Sequence, residues 1–282
     1  APAAGGGEST PSRPNDVPVR ARPRLSASEG DLELSRTKDE GDETERPPDE
    51  GTPQDFTGKV TLTDISFAVQ PGQTVAIVGP TGSGKTTLVN LIPRFYDVSS
   101  GRVLLDGENI AGMKSYAVAR KGIARTFQIV KPFRKLTVLE NVTLAAFMRF
   151  PSRGEAESEA RRVLERMGLG AKSLALATDL TLSDQKRLEI ARALATGPKL
   201  LLLDEPMSGL NATEIEQASL LVREICKEGV TIIWVEHVLR AIMNSSNRVV
   251  VINQGEKIAD APPGEVVKNP EVIAAYLGTK RR

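Results

Sequence analysis

The chain holds a single cysteine, Cys226, among 282 residues. A lone thiol cannot close an internal disulfide, which excludes a cross-linked scaffold and fits a reducing compartment. Cys226 belongs to a helical pattern with Ile215, Ala218, Leu221, Val222 and Ile225, where a small thiol fills a core or boundary position. Long apolar runs are absent as well. Nothing approaches the roughly 18–20 consecutive apolar residues that span a bilayer, and the first residues lack a basic-then-apolar leader. Any membrane role is therefore expected to come through a partner. Strong net charge is the third absence: the formal value is +1. Residues 1–55 carry thirteen acidic against seven basic side chains, so the remainder is mildly basic. That falls short of the concentrated basic patch of a nucleic-acid binder, and no nucleic-acid partner is expected.

What the chain does contain is unevenly spread. Residues 1–55 are rich in Pro, Gly, Ser, Asp and Glu, nearly free of aromatics, and include the charged block Lys38–Pro48. Such a stretch buries too little apolar surface to offset the entropy of ordering, so it is read as a disordered acidic tail or linker. Order is expected from Phe56. Val60–Val69 alternates apolar and polar residues, predicting one or two half-buried strands. Pro71-Gly72 marks a turn, Thr74–Val78 a strand, Thr87–Ile92 a helix, and Arg102–Gly107 a further strand and turn. Helices are then expected to dominate up to about residue 197. In Glu155–Met167 the residues Ala156, Ala160, Val163, Leu164 and Met167 share one face, and Asp184–Thr196 is a second helix. Strand–helix alternation follows: strand Lys199–Asp204, helix Ala212–Lys227 capped by Asn211 with Glu214 three residues on, strand Val230–Val235, strand Arg248–Ile252. Continuous apolar strands separated by helices predict an α/β fold, a mainly parallel sheet covered on both faces.

One loop organises this pattern. Gly79-Pro80-Thr81-Gly82-Ser83-Gly84-Lys85-Thr86 lies between a strand and a helix, the context in which G-x-x-x-x-G-K-[ST] binds phosphate. Its glycines let the backbone wrap an anion with N–H groups inward, and the helix that follows adds its positive end. Lys85 is expected to reach the β- and γ-phosphates of a nucleoside triphosphate, and the Thr86 hydroxyl to ligate Mg²⁺. The plainer reading, a Gly-rich turn before a helix, does not account for Lys and Thr in register. Asp204 and Glu205 close a run of four leucines, at the carboxyl end of a strand where open α/β sheets bind ligands. Asp204 is expected to hold Mg²⁺ through water, and Glu205 to accept a proton from an attacking water. His237, the sole histidine, follows the Val230–Val235 strand and is read as a γ-phosphate contact.

The order of phosphate loop, glutamine, signature, Asp-Glu and His resembles the nucleotide-binding subunit of an ABC transporter over residues 56–280. The resemblance implies a P-loop NTPase of ABC type: a mainly parallel sheet core, a small antiparallel β part, and a helical subdomain at about 130–197. It implies that Phe56 stacks on adenine, that Gly79–Thr87 hold the phosphates, and that Gln128, in Arg125-Thr126-Phe127-Gln128, contacts Mg²⁺ and signals to the membrane subunit. Ser208–Asn211 resembles the loop that crosses the dimer interface. Gly122–Gln128, Leu136–Val142, Arg187–Leu194 and Asn269–Gly278 resemble ATPase subunits of branched-chain amino acid importers. Residues 71–107, with Pro93–Asp97 and Ser100–Gly107, look more like an exporter's ATPase domain.

The resemblance also exposes departures. The family signature L-S-G-G-Q falls on Leu180-Thr181-Leu182-Ser183-Asp184. Thr181 keeps a hydroxyl for the γ-phosphate of the opposite subunit's ATP, whereas Ser183 replaces a glycine and Asp184 adds a negative charge. Residues 44–55 are interrupted by prolines and cannot supply the strand that ordinarily precedes the adenine-stacking aromatic. The implied function is ATP hydrolysis with Mg²⁺, powering import of branched-chain or similar amino acids. The implied partners are membrane permease subunits, a second ABC ATPase and a substrate-binding protein, at the cytoplasmic face of the membrane. Two alternatives stand beside it: an exporter's ATPase domain, and a nucleotide-dependent switch that turns over slowly.

Overall fold

The computed structural model describes Val19–Ala21 and residues 61–277. Phe56 and most of the tail lie outside the described residues. Strand β1 (Val19–Ala21) pairs antiparallel with β2 (Leu62–Ile65). This corrects one expectation: three residues inside the stretch read as disordered are a strand. Residues 44–55 lie outside the described residues. Three residues are too few for alternation to stand out as a periodic signal. The alternation at Val60–Val69 likewise yields a strand only at β2, because Ser66–Val69 pairs with no neighbour in a regular ladder.

The main sheet is built from β3 (Thr74–Val78), β6 (Ile123–Arg125), β7 (Leu200–Asp204), β8 (Thr231–Val235), β9 (Arg248–Asn253) and β10 (Glu256–Ala261). Their order across the sheet is β10-β9-β3-β8-β7-β6, with all pairs parallel except β9–β10. Between β3 and β6, the hairpin strands β4 (Leu104–Leu105) and β5 (Glu108–Asn109) flank Asp106 and Gly107, at φ 50° and 81°. Two consecutive left-handed residues in a two-residue loop make the type I′ turn that matches strand twist. Helices were expected to dominate here, but β6 intervenes and joins the main sheet as its edge strand. Three residues are too few for alternation to show.

Alternation across the central strands builds two cores. Val75, Ile77, Leu202, Ile233, Val250 and Ile252 point to one face, against Leu88, Val89 and Leu91 of helix α1 (Lys85–Leu91). Ala76, Val78, Leu201, Leu203, Ile232, Trp234, Val249 and Val251 point to the other. That second face receives the helical layer. After α2 (Ser115–Arg120) come α3 (Val138–Ala146), α4 (Arg153–Arg166) and α5 (Leu182–Ala195). On α4 the stripe Ala156, Ala160, Val163 and Leu164 is buried, as its spacing requires. Helix α6 (Ala212–Lys227) begins in the expected capping box, with the Asn211 side chain accepting from Thr213 and Glu214 N–H and Glu214 accepting from Asn211 N–H at 2.9 Å. Helices α7 (Leu239–Ser245), α8 (Pro263–Val266) and α9 (Pro270–Leu277) complete the described residues. Cys226 packs at the edge of the larger core, and its thiol donates to the Gly72 carbonyl at 3.0 Å.

Candidate functional site

The phosphate loop leaves β3 at Gly79 and enters α1 at Lys85. Gly79 has φ 152°, and a Cβ there would sit 2.0 Å from the Ile252 carbonyl oxygen, so no side chain fits. Gly84, at φ 104°, caps α1 and offers its first turn no side-chain acceptor. The leading N–H groups of α1 are thus left for an anion. Ser83 N–H donates to the Pro80 carbonyl at 3.2 Å, and Gly255 N–H donates to the Ser83 carbonyl at 3.0 Å, pinning the loop to β9 and β10. The Ser83 hydroxyl is buried and has no protein partner. A buried orphaned hydroxyl in a glycine cradle fits a phosphate ligand. Lys85 Nζ donates to the Gly79 and Pro80 carbonyls at 2.8 and 2.9 Å, folding back over the loop. Burial pushes its pKa down, and the charges of Glu205 and Asp204 act against that fall. Thr81, Gly82 and Thr86 are exposed at the mouth of the loop.

The carboxylates arrive from β7, two strands away across β8. Asp204 is buried and its Oδ2 accepts from Arg125 at 2.7 Å. Arg125 is the last residue of β6, the strand that periodicity does not reveal. Its guanidinium also donates to the Asn90 side-chain oxygen and lies over the Phe95 and Phe127 rings, 5.4 and 5.3 Å from their centroids. Glu205 follows at φ 45°, a left-handed conformation uncommon for a side-chain-bearing residue. Its Oε2 accepts from Gln128 Nε2 at 2.8 Å, so two residues separated by 77 positions meet. His237 lies just past β8, which sits between β3 and β7, with an exposed side chain. The structure therefore gathers Lys85, Asp204, Glu205, Gln128 and the position of His237 at the carboxyl edge of the parallel strands. Sequence reasoning missed Arg125 as a partner of Asp204. The available signal was a basic residue three positions before the glutamine.

Thr181 stands at the start of helix α5. It is the N-cap of α5: its hydroxyl accepts from Asp184 N–H at 3.2 Å and donates to Asp184 Oδ2 at 3.0 Å. Both bonds are local to the helix start, and Thr181 itself is exposed. Lys172 forms an ion pair with the same carboxylate. Burial pushes Asp184 up, but the hydrogen bonds from Lys172 and Thr181 outweigh it and hold the carboxyl below its ordinary value. Leu182 is 47 % exposed and Ser183 half-buried at the helix start. The signature segment is a capped, negatively charged helix N-terminus.

A strand–loop–helix phosphate cradle with an Asp-Glu pair at the carboxyl end of a parallel strand in the same sheet defines a P-loop nucleoside triphosphatase. Residues 62–208 match the ABC transporter family, and residues 256–281 match the branched-chain amino acid ATP-binding cassette transporter family. The high-affinity branched-chain amino acid transport ATP-binding protein LivG of Escherichia coli is 37 % identical over 239 residues, covering 79 % of this chain and 94 % of LivG. A probable branched-chain amino acid transport ATP-binding protein of Archaeoglobus fulgidus is 34 % identical, covering 80 % and 92 %. Among solved structures, an ATP-binding cassette of an ABC transporter is similar at TM-score 0.74 and 30 % identity, over 79 % of this chain and 95 % of that one. A dimeric post-hydrolysis cassette bound to ADP and Pi is similar at TM-score 0.66 and 25 % identity, over 72 % and 91 %. The chain belongs to the ABC transporter ATP-binding family, and it is an ATPase subunit of that family.

Proposed function

We propose that the chain hydrolyses ATP to drive import of branched-chain amino acids through a partner permease, at the cytoplasmic face of the membrane, with a substrate-binding protein delivering cargo. The amino acid importer relatives support this reading over an exporter's domain. No helix among the described residues is long and apolar enough to cross a membrane, which suits a subunit that works through partners. A second ABC ATPase, as in the dimeric cassette, would complete each site.

The meeting of Gln128 and Glu205 at 2.8 Å beside the lysine of the phosphate loop carries the proposal. Backbone N–H groups of Gly79–Thr87 wrap the phosphates, and the Lys85 ammonium exchanges its loop carbonyls for phosphate oxygens. Glu205 accepts the proton of the attacking water, with its carboxylate held by Gln128. His237 contacts the γ-phosphate. Thr86 and Gln128 oxygens, with Asp204 through water, would hold Mg²⁺, an all-oxygen donor set that suits a hard cation shared with phosphates. When bound, the ion neutralises charge on the transferred phosphoryl group.

Glu205→Gln keeps the side chain's size and the contact to Gln128 but removes the proton acceptor. The expected outcome is loss of turnover with ATP affinity retained, read by a phosphate-release assay beside a binding titration. Turnover near the wild-type rate would overturn the general-base assignment.

A further inference from the structure

Two buried charged residues outside the sequence-derived site stand directly behind Glu205. Lys186, on the second turn of α5, is 8 % exposed, and its ammonium donates to the Glu205 backbone carbonyl at 3.2 Å. Glu236, the residue before His237, is 1 % exposed. Its carboxylate accepts from Met207 N–H at 2.9 Å through one oxygen, and from His237 and Val238 N–H at 3.0 and 3.2 Å through the other. A buried carboxylate with three backbone donors is fully satisfied, and here those donors come from two loops, one after β7 and one after β8. The charges of Glu236 and Glu205 both act on Lys186, opposing the effect of burial, which pushes the lysine down.

The backbone they hold is strained. Glu205 sits at φ 45°, a conformation that a non-glycine residue keeps only where its surroundings over-determine it. Its N–H donates to the Val235 carbonyl at 3.0 Å, and its carbonyl accepts from Ser208 N–H at 3.2 Å as well as from Lys186. The strain therefore falls on the residue whose carboxylate must point at the attacking water.

We propose that Lys186 and Glu236 form a positioning pair for Glu205: Lys186 fixes its carbonyl from the signature helix, and Glu236 ties the loop that carries Glu205 to the loop that carries His237. Lys186 lies five residues beyond Thr181 on the same helix, so displacement of the signature segment moves the group that orients Glu205 in its own chain. The assignment rests on the general-base reading of Glu205. Each acts through the placement of another residue.

The test uses the full chain, with steady-state ATP hydrolysis, ATP titration and thermal melting measured on the same preparations of Lys186→Met, Lys186→Arg, Glu236→Gln and Lys186→Met/Glu236→Gln. Lys186→Met is expected to lower kcat by about tenfold to a hundredfold, the scale of a misplaced catalytic group, while KM for ATP stays within about twofold. Lys186→Arg restores most of the rate, because it returns a donor and a charge. The double variant is no slower than the worse single one, since the two residues act as a unit. Wild-type kcat in Lys186→Met, or an Arg variant as slow as the Met variant, overturns the pairing. So does a loss in which KM and melting temperature shift along with kcat. Should Lys186→Met not fold, Lys186→Gln is read by the same criteria. Glu205→Gln run alongside separates the two assignments: if it turns over, the general-base reading fails, and if it is inactive while Lys186→Met is fast, only the positioning pair fails.

Discussion

At the scale of single residues, the phosphate loop makes an unusual demand of Ser83. Its hydroxyl is buried without a protein partner, and an unsatisfied buried polar group costs about 1–3 kcal/mol. Ser83→Ala removes that cost and leaves the glycine cradle in place. In nucleotide-free protein the substitution is expected to raise stability by about 1 kcal/mol or leave it unchanged, while ATP affinity falls. Melting with and without ATP checks both signs. A loss of stability without nucleotide would show that the hydroxyl has a structural partner and is not kept for phosphate. Gly79 is the opposite case: with 2.0 Å between a prospective Cβ and the Ile252 carbonyl, its role is space and nothing replaces it.

At the scale of elements, α5 balances its own stability against its work. An acid in the first helical turn favours the helix by about 0.3–1 kcal/mol, and Asp184 adds a capping pair with Thr181. The same charge repels an incoming phosphate. Asp184→Asn is expected to destabilise the protein by about 1 kcal/mol and to raise ATP turnover, measured as melting temperature and steady-state rate. A slower variant would mean that the carboxylate aids closure of the composite site. The pH dependence has a definite sign. Because Asp184 is held below its ordinary value of 3.8, its stabilisation is complete above that value and disappears as pH falls through the lower folded value. Wild-type protein is thus expected to lose stability below about pH 4 more steeply than Asp184→Asn. The elements themselves differ in how far sequence reveals them. Long apolar strands such as β7 and β8, and the α6 capping box, are legible because periodicity and caps are local. Strands β1 and β6 are not, since three residues hold no periodicity and their pairing depends on distant chain. So Asp204 and Glu205 could be read from sequence as a pair at a strand end. The Arg125 contact was harder to read: a basic residue three positions before Gln128 was its one local signal, and β6 is too short for periodicity to place it beside β7.

At the scale of the whole molecule, the site joins the sheet to a surface that faces away from it. Arg125 touches buried Asp204 on one side and, on the other, lies against the rings of Phe95 and Phe127, which are themselves stacked at 6.1 Å. Both phenylalanines are about half exposed, and Ile129, just beyond Gln128, is 69 % exposed. Apolar groups left in water beside Gln128 are costly to a lone subunit and useful to one that docks a helix of a permease. The linkage makes a specific demand: removing the exposed apolar groups must disturb partner binding before it disturbs chemistry. Ile129→Ser is expected to weaken co-purification with the permease by about tenfold or more, the loss of one buried anchor, while ATP affinity of the isolated chain is unchanged. Phe127→Ser has a second effect, because it also removes a face from the Arg125 guanidinium and so loosens the residue that holds Asp204. That variant is expected to lose permease binding and, in the isolated chain, part of its turnover as well. Equal effects of the two substitutions on turnover would separate the aromatic pair from the carboxylate and leave Arg125 as a structural ion pair only.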